Sequence, residues 1–223
     1  MYSFKVSKNM KKVDVFAYDA CDVWAAAVYA QRINGAYLKQ NEIDHEGKVV
    51  KDSNREIARL ALQDGGKITV EDRCKGALIR QFISSRLMLR AITKKLSSFE
   101  TNLSKAVSME EFIVPQDRML IGIVNSQIAQ YERIMKEEDL TKDSVYGVFG
   151  KIKERLDVEL KPVSRFWLTD WGTFRYNSIT EDGYKTSFYY RDKLEIGDAV
   201  KVRGTVTKHT NDTTTINRVK VLK

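Results

Sequence analysis

Cysteine, proline and histidine are scarce in this sequence. The 223 residues include 2 Cys, 2 Pro and 2 His, and they contain no C-x-x-C pair and no cluster of Cys with His. Isolated thiols cannot form a disulfide framework, and a structural zinc site needs several Cys or His ligands at close spacing. We therefore expect neither a disulfide scaffold nor a metal site, and we expect no cofactor.

Long apolar runs are also missing. No run of about eighteen apolar residues is present, so the sequence predicts no membrane-spanning helix and no membrane partner. The N-terminal stretch MYSFKVSKNMKKVDVF has charges where a signal peptide would need its apolar core. We expect an intracellular, cytoplasmic protein.

Motifs for known catalytic chemistry are absent as well. The sequence has no G-x-x-x-x-G-K-[ST] phosphate loop and no G-x-S-x-G nucleophile motif. Clustered carboxylates can hold Mg²⁺ for phosphodiester chemistry, and Asp14, Asp19 and Asp22 are the nearest approach to such a cluster. Helix capping accounts for Asp19 and Asp22, so we expect a non-enzymatic protein, with a metal-dependent nuclease as a lesser alternative.

Positive charge is plentiful and is densest near the C-terminus. The chain has a formal net charge of +8, and residues 146–223 carry 15 Lys and Arg against 10 Asp and Glu. A basic balance favours polyanionic partners such as nucleic acid.

Helical patterns dominate residues 1–145. Capping sequences at Ser53-Asn-Arg-Glu56 and Thr69-Val-Glu-Asp72 predict two helix starts, and Asp19 or Asp22 can cap an earlier helix rich in alanine. Apolar residues then recur at alternating intervals of four and three, which predicts a long helix with a buried seam and with a break near Ser97-Ser98. The predicted seam consists of Leu78, Phe82, Ser85, Leu89, Ile92, Leu96, Phe99 and Leu103. Similar spacing from Leu120 to Met135 predicts a second long helix.

Strand patterns replace helical ones in residues 146–223. Val200, Val202 and Val206 alternate with basic or hydroxylic residues, and Asn211-Asp212 supplies a turn into a second alternating run. Three further strands are predicted at Lys153–Leu168, Thr173–Thr180 and Tyr184–Arg191. The sequence therefore predicts an α+β protein with a mostly helical domain, 1–145, followed by a small five-stranded β-barrel domain, 146–223.

The C-terminal ending, with a Gly197-Asp198 turn before a strand of the form V-x-V-x-G-x-V, resembles the last two strands of an OB-fold, a five-stranded Greek-key barrel. The likeness covers about the last eighty residues. More narrowly, Gly204–His209 followed by Thr215–Lys220 is similar to the G-T-V-K-x-H…T-x-L-x-R-V-K ending of poorly characterised bacteriophage proteins. The resemblance implies a phage setting, and hence the cytoplasm of a host cell.

Aromatic and basic residues are interleaved along the predicted barrel strands. Proteins that hold single-stranded nucleic acid stack bases on aromatic rings and track phosphates with cations. Strand alternation sends some of these rings into the core, and the sequence alone does not determine which of them point outward. The candidate binding residues are Arg165, Trp167, Trp171, Arg175, Tyr176, Lys185, Tyr189, Arg191, Arg203, Lys208, Arg218 and Lys220.

These features predict binding of single-stranded nucleic acid, DNA more than RNA, in replication, recombination or repair. OB-like barrels also host protein contacts, so the main alternative is a protein-interaction module, such as a phage factor that acts on a host or defence protein through the helical domain. The helical domain could equally serve in self-association.

Overall fold

The computed structural model describes residues 16–222 of the chain. The chain divides into two compact units, Met1–Tyr131 and Glu132–Lys223. The first is mainly helical and the second contains a closed five-stranded barrel, which confirms the α+β arrangement. The division falls inside a helix, and the domain boundary expected between 145 and 146 stays a prediction.

Helices and two short antiparallel ribbons make up residues 16–141. One ribbon pairs strand β1 (Phe16–Asp19) with β4 (Glu111–Val114), and the other pairs β2 (Glu42–Ile43) with β3 (Val49–Lys51). Across residues 16–222, no helix is both long enough and apolar enough to cross a bilayer. The elements are β1 (Phe16–Asp19), α1 (Ala20–Asn34), β2 (Glu42–Ile43), β3 (Val49–Lys51), α2 (Asn54–Asp64), α3 (Val70–Thr93), α4 (Ser98–Ser108), β4 (Glu111–Val114) and α5 (Arg118–Thr141).

Side-chain caps begin the helices at the predicted places. Asp19 accepts a hydrogen bond from the backbone amide of Cys21 at 2.7 Å and so caps α1. Ser53 caps α2, and Thr69 forms a reciprocal capping box with Asp72 at the start of α3. The predicted break is also confirmed, because α3 ends at Thr93 and Ser97 caps α4. Caps satisfy backbone amides that have no partner within the helix, which is why they mark helix starts so reliably.

Helix α1 forms the centre of the first unit. Its alanines, among them Ala25, Ala26 and Ala30, are fully buried, and their small side chains allow α2 and α3 to pack closely against it. The indole of Trp24 is also fully buried, in a core that includes Ile79 of α3. The second predicted long helix contributes to the same core with Leu120, Ile121, Val124 and Ile128 of α5.

The buried face of α3 differs from the predicted seam. Ile79, Ile83 and Leu87 are buried, whereas Leu89 and Ile92 are 67% and 77% exposed. The reason is Gly76, where an added Cβ would lie 3.0 Å from the backbone of Trp24 and Ala25 in α1. This close approach fixes which side of α3 faces α1, and it leaves much of the heptad-spaced side in solvent.

One buried carboxylate links the start of α3 to α1. Asp72 is only 3% exposed and accepts hydrogen bonds from Arg32 Nε at 3.2 Å and Arg32 Nη2 at 2.8 Å, as well as from the Thr69 amide. Burial alone would raise the pKa of Asp72, but the hydrogen bonds from Arg32 and Thr69 outweigh it and hold that pKa below its usual range.

The barrel consists of β5 (Arg155–Leu168), β6 (Thr173–Thr180), β7 (Lys185–Tyr190), β8 (Val200–Thr210) and β9 (Thr213–Val221). It closes in the order β5-β6-β7-β9-β8, with β7 and β9 parallel and the other pairs antiparallel. A register shift between Pro162 and Ser164 marks the irregularity that Pro162 predicted. The five predicted strands and the small barrel are therefore confirmed.

The barrel core is built around two stacked rings. Tyr176 and Phe188 are fully buried, and their ring centroids are 5.1 Å apart. Val202 and Ile216 complete this core from β8 and β9. Gly204 of the V-x-V-x-G-x-V strand lies against Ile216, so closely that an added Cβ would be 2.3 Å from Ile216 Cγ2.

The close helix approach predicts opposite effects for two glycine substitutions. Gly76→Ala should lower the free energy of unfolding by about 1 to 3 kcal/mol, because its methyl group meets backbone that cannot move away easily. Gly122→Ala, at a site in α5 with no neighbour within 4 Å, should raise it by up to about 1 kcal/mol through helix propensity. Urea unfolding followed by circular dichroism measures both. Equal effects at the two sites would contradict the packing argument.

The Asp72 carboxylate predicts a pH-dependent contribution to stability. A pKa that is lower in the folded than in the unfolded chain adds stability above the unfolded value of 3.8, and this stability is lost as the pH falls through the folded value. Asp72→Asn should therefore cost about 1 to 3 kcal/mol at pH 7 and clearly less at pH 3. Urea unfolding at both pH values measures this difference.

Asp64→Asn is the matched control, because Asp64 forms an exposed ion pair with Lys67 in the same unit. Its cost should stay below about 1 kcal/mol at either pH. A deficit of Asp72→Asn that is unchanged between pH 7 and pH 3 would show that the charge is not its source.

Candidate nucleic-acid interface

Strand pairing decides which predicted side chains share a surface. Arg175 of β6 lies directly opposite Tyr189 of β7 and opposite Phe166 of β5. Residues directly opposite each other in antiparallel strands point to the same side of the sheet. Arg175 is exposed, so these three residues form a row across the outer face of β5, β6 and β7.

Tyr176, the next residue along β6, points the other way, and its assignment to the binding surface is wrong. Its ring is fully buried against Phe188. Its hydroxyl donates to the carbonyl oxygen of Asp192 and accepts from the amide of Leu194, both at 2.9 Å. Tyr176 is therefore a core residue that ties down the connection after β7, and no base can reach its ring.

An open aromatic pair lies next to Arg175. Trp171 occupies a short 3₁₀ turn, Thr169–Trp171, between β5 and β6, and it is 68% exposed. Its ring centroid is 5.7 Å from that of Tyr189, which is half-buried. The ring of Phe166 is covered by the guanidinium group of Arg133, at 5.2 Å from the ring centroid. Trp171 and Tyr189 are thus the rings of this face that a base can approach.

A polar groove of about 560 Å³ opens on the same face. Hydrogen bonds between neighbouring strands hold its floor: Asn177 donates to Ser164 at 3.1 Å, and the hydroxyls of Ser187 and Thr215 lie 3.2 Å apart. Its lining includes Arg175, Asn177, Lys185, Ser187, Lys208 and Thr215. Three of the predicted cations, Arg175, Lys185 and Lys208, therefore come together here.

Only two of these cations are available to a ligand. Lys185 is bound to Asp212 at 2.7 Å, and this hydrogen bond lowers the pKa of the Asp212 carboxyl. Glu137 also lines the groove and accepts a hydrogen bond from Ser164. Within residues 16–222, the side chains of Arg175 and Lys208 have no hydrogen-bond or ion-pair partner. The groove is therefore only weakly positive, and its free charge is concentrated at Arg175 and Lys208.

Arg165 and Trp167 lie on the side of the sheet opposite to Arg175. Both share the alternation of Tyr176 and Phe174, their partners in β6, rather than that of Arg175. Arg165 donates to the carbonyl oxygen of Leu194 at 2.8 Å. Trp167 packs edge-on against Phe174 with the ring centroids 4.7 Å apart, although about half of its surface is exposed. The structure does not bring these two residues to the groove.

The remaining predicted cations are also spread over other surfaces. Arg203 donates to both carboxylate oxygens of Asp157, at 2.6 and 2.7 Å, and Lys220 lies opposite Arg203 on β9. Arg218 is exposed at an irregular point of β9, and Arg191 is exposed in the segment after β7. Neither residue lines the groove.

The uncharged groove residues Asn177, Ser187 and Thr215 are not among the candidates predicted from the sequence, because those candidates are aromatic rings and cations. Strand alternation could have found two of them. Asn177 has the same parity as Arg175, and Ser187 has the same parity as Tyr189, so each pair must share a face.

The aspartates considered for metal binding have other roles where they are described. Asp19 caps α1, and Asp22 forms an ion pair with Arg73. Asp14 lies outside the described residues. In the described part of the chain, no three His, Cys, Asp or Glu residues are grouped so that they could hold a metal ion.

Comparisons with known proteins do not assign this surface. No protein-family model, curated protein or solved structure matches the chain.

Proposed function

We propose that the outer face of β6 and β7 binds single-stranded nucleic acid, DNA in preference to RNA, without catalysing a reaction. The observation that carries the proposal is the exposed Trp171–Tyr189 pair beside the unpaired Arg175 guanidinium. Stacking surfaces beside cations are the recurring elements of single-strand recognition, and the second and third strands of OB-fold barrels present them in other proteins.

Binding combines stacking with a small number of phosphate contacts. A base stacks on the open face of Trp171 or Tyr189, and Arg175 contacts the adjoining phosphate. The strand then follows the groove to Lys208, while the amide of Asn177 and the hydroxyl of Ser187 offer hydrogen bonds to sugar or base edges. Two phosphate contacts give a salt slope of roughly −1.4 on a log–log plot, so most of the affinity comes from stacking and survives physiological salt.

The setting we propose is replication, recombination or repair of phage-type DNA in the cytoplasm of a host cell. It rests on the resemblance of the C-terminal ending to bacteriophage proteins and on the proposed ligand.

Two single substitutions test the interface. Trp171→Ala should weaken binding of a labelled single-stranded oligonucleotide about tenfold, because one stacked base is worth about 1 to 3 kcal/mol. Arg175→Ala should weaken it several-fold and reduce the magnitude of the salt slope by about 0.7. Fluorescence anisotropy titrations at several salt concentrations measure both quantities.

Lys220→Ala is the matched control for Arg175→Ala, since it removes one exposed positive charge from the same barrel but lies outside the groove. Its affinity should stay within about twofold of the unmodified chain. Equal losses of affinity in Arg175→Ala and Lys220→Ala would show that overall charge, and not a contact made by Arg175, causes the weaker binding. No binding even at low salt would overturn the proposed function.

A second candidate function is protein interaction through self-association of α3. Leu78, Leu89 and Ile92 are all more than half exposed, and they belong to the seam with alternating intervals of four and three. That spacing fits a second helix of the same spacing, because coiled-coil residues insert between side chains repeated every 3.5 residues. A second copy of the chain presents this same spacing on its own α3 and therefore offers a complementary surface.

The substitutions Leu89→Gln and Ile92→Gln together should convert a dimer into a monomer without changing the fold. Sedimentation equilibrium measures the mass, and circular dichroism checks the helix content. Leu60→Gln, at an exposed apolar position on α2, should leave the dimer intact. A monomer at every concentration of the unmodified chain would remove this second candidate.

A further inference from the structure

An apolar pocket with arginines at its rim lies in the first unit, Met1–Tyr131. The proposed nucleic-acid interface lies entirely in the second unit and shares no residue with it. The pocket has a volume of about 290 Å³. Elements distant in sequence supply its apolar lining, called the floor below: Tyr18 from β1, Leu62 from α2, Val114 at the end of β4 with Pro115 after it, and Ile121 from α5. Pockets that bind small molecules are mostly apolar and have a few polar groups that converge on the ligand.

Three arginines and one glutamate line the same pocket. Arg55 and Arg59 are four residues apart on α2 and so project from one side of that helix, and Arg118 is the first residue of α5. Glu56 is the single carboxylate among the lining residues. The lining therefore has three positive groups and one negative group, an excess that the apolar floor does nothing to offset.

Glu56 satisfies only one of the three guanidinium groups. Arg59 donates to its two carboxylate oxygens at 3.0 and 2.5 Å, and a further nitrogen of Arg59 donates to Gln63 at 2.9 Å. The hydrogen bonds from Arg59 lower the pKa of Glu56, and the positive charges of Arg118 and Arg55 lower it further. Among residues 16–222, the guanidinium groups of Arg55 and Arg118 have no hydrogen bond and no ion pair. Two exposed guanidinium groups thus remain at the rim with unused donors.

We infer that this pocket binds a small organic anion, with an apolar ring on the floor and a phosphate or carboxylate group held by Arg55 and Arg118. A guanidinium group is planar and presents paired donors that match the oxygens of either anion. The volume lies at the lower end of the range for ligand pockets, which suits one ring with one anionic substituent. The inference does not depend on nucleic-acid binding, because its residues all lie in Met1–Tyr131.

Four probes separate the contributions of the floor and the rim. Phenyl phosphate and benzoate carry both a ring and an anion, inorganic phosphate carries only the anion, and benzyl alcohol carries only the ring. In calorimetric titrations of the full chain, at least one of the first two should bind tenfold or more tightly than inorganic phosphate and benzyl alcohol. The ratio of phenyl phosphate to benzoate then identifies the preferred anion. Equal affinity for phenyl phosphate, benzoate and inorganic phosphate would reduce the site to general attraction of anions and overturn the inference.

Charge-removing variants locate the site. Arg55→Gln and Arg118→Gln should each weaken the better ring-bearing probe at least fivefold, and both residues are exposed, so the fold should tolerate the change. Lys105→Gln, an exposed cation on α4 of the same unit, is the matched control and should leave the affinity unchanged. Unchanged affinity in both arginine variants would overturn the inference. Their binding of oligonucleotides should equal that of the unmodified chain, so failure here is distinguishable from failure of the proposed interface.

Discussion

Closure of the barrel around the stacked rings of Tyr176 and Phe188 is the constraint on which the proposed interface depends. A strand residue that points into the core forces its neighbours to point outward. With Tyr176 and Phe188 inside, Arg175 and Tyr189 must both lie outside, and the pairing of β6 with β7 places them directly opposite each other. A one-residue slip of either strand would bury the cation and expose a core ring, which makes the register costly to change.

The sequence predicted where the barrel strands lie better than it predicted which of their residues face the core and which face solvent. Alternation and turn residues located all five strands, because both signals are local. The side of the sheet to which a residue points is harder to predict, since it depends on the register between strands and on irregularities within them. Arg165 and Trp167 lie two residues apart and so share one side of β5, but the register shift between Pro162 and Ser164 decides that this side matches Tyr176 and not Arg175. Tyr176 itself was misplaced because alternation along β6 does not show which of its two sides faces the core.

Helix α3 shows a related limit in the first unit. Thr69 caps the start of α3 together with Asp72, and Ser97 with Glu100 caps the next helix and so limits where α3 can end. Each pair is three residues apart, so both boundaries could be predicted from the sequence. The helix is apolar on more than one side, so periodicity alone selected a seam that the structure largely exposes. The deciding residue is Gly76, whose missing side chain admits the backbone of Trp24 and Ala25. A glycine inside a helical pattern costs about 1 kcal/mol relative to alanine, but the pattern does not distinguish Gly76 from Gly122 of α5, which has no neighbour within 4 Å.

Net charge explains less of the expected binding than the placement of unpaired cations does. The formal excess of +8 does not show which of the 38 Lys and Arg residues are free, and several are paired with a carboxylate, among them Arg203 with Asp157 and Lys185 with Asp212. At physiological ionic strength, exposed charges more than about 8 Å from a ligand are largely screened. A phosphate therefore responds to the few guanidinium and ammonium groups that it can touch. Within residues 16–222, the two such groups on the proposed interface are Arg175 and Lys208, and because they are so few, our proposal assigns most of the affinity to the exposed rings Trp171 and Tyr189.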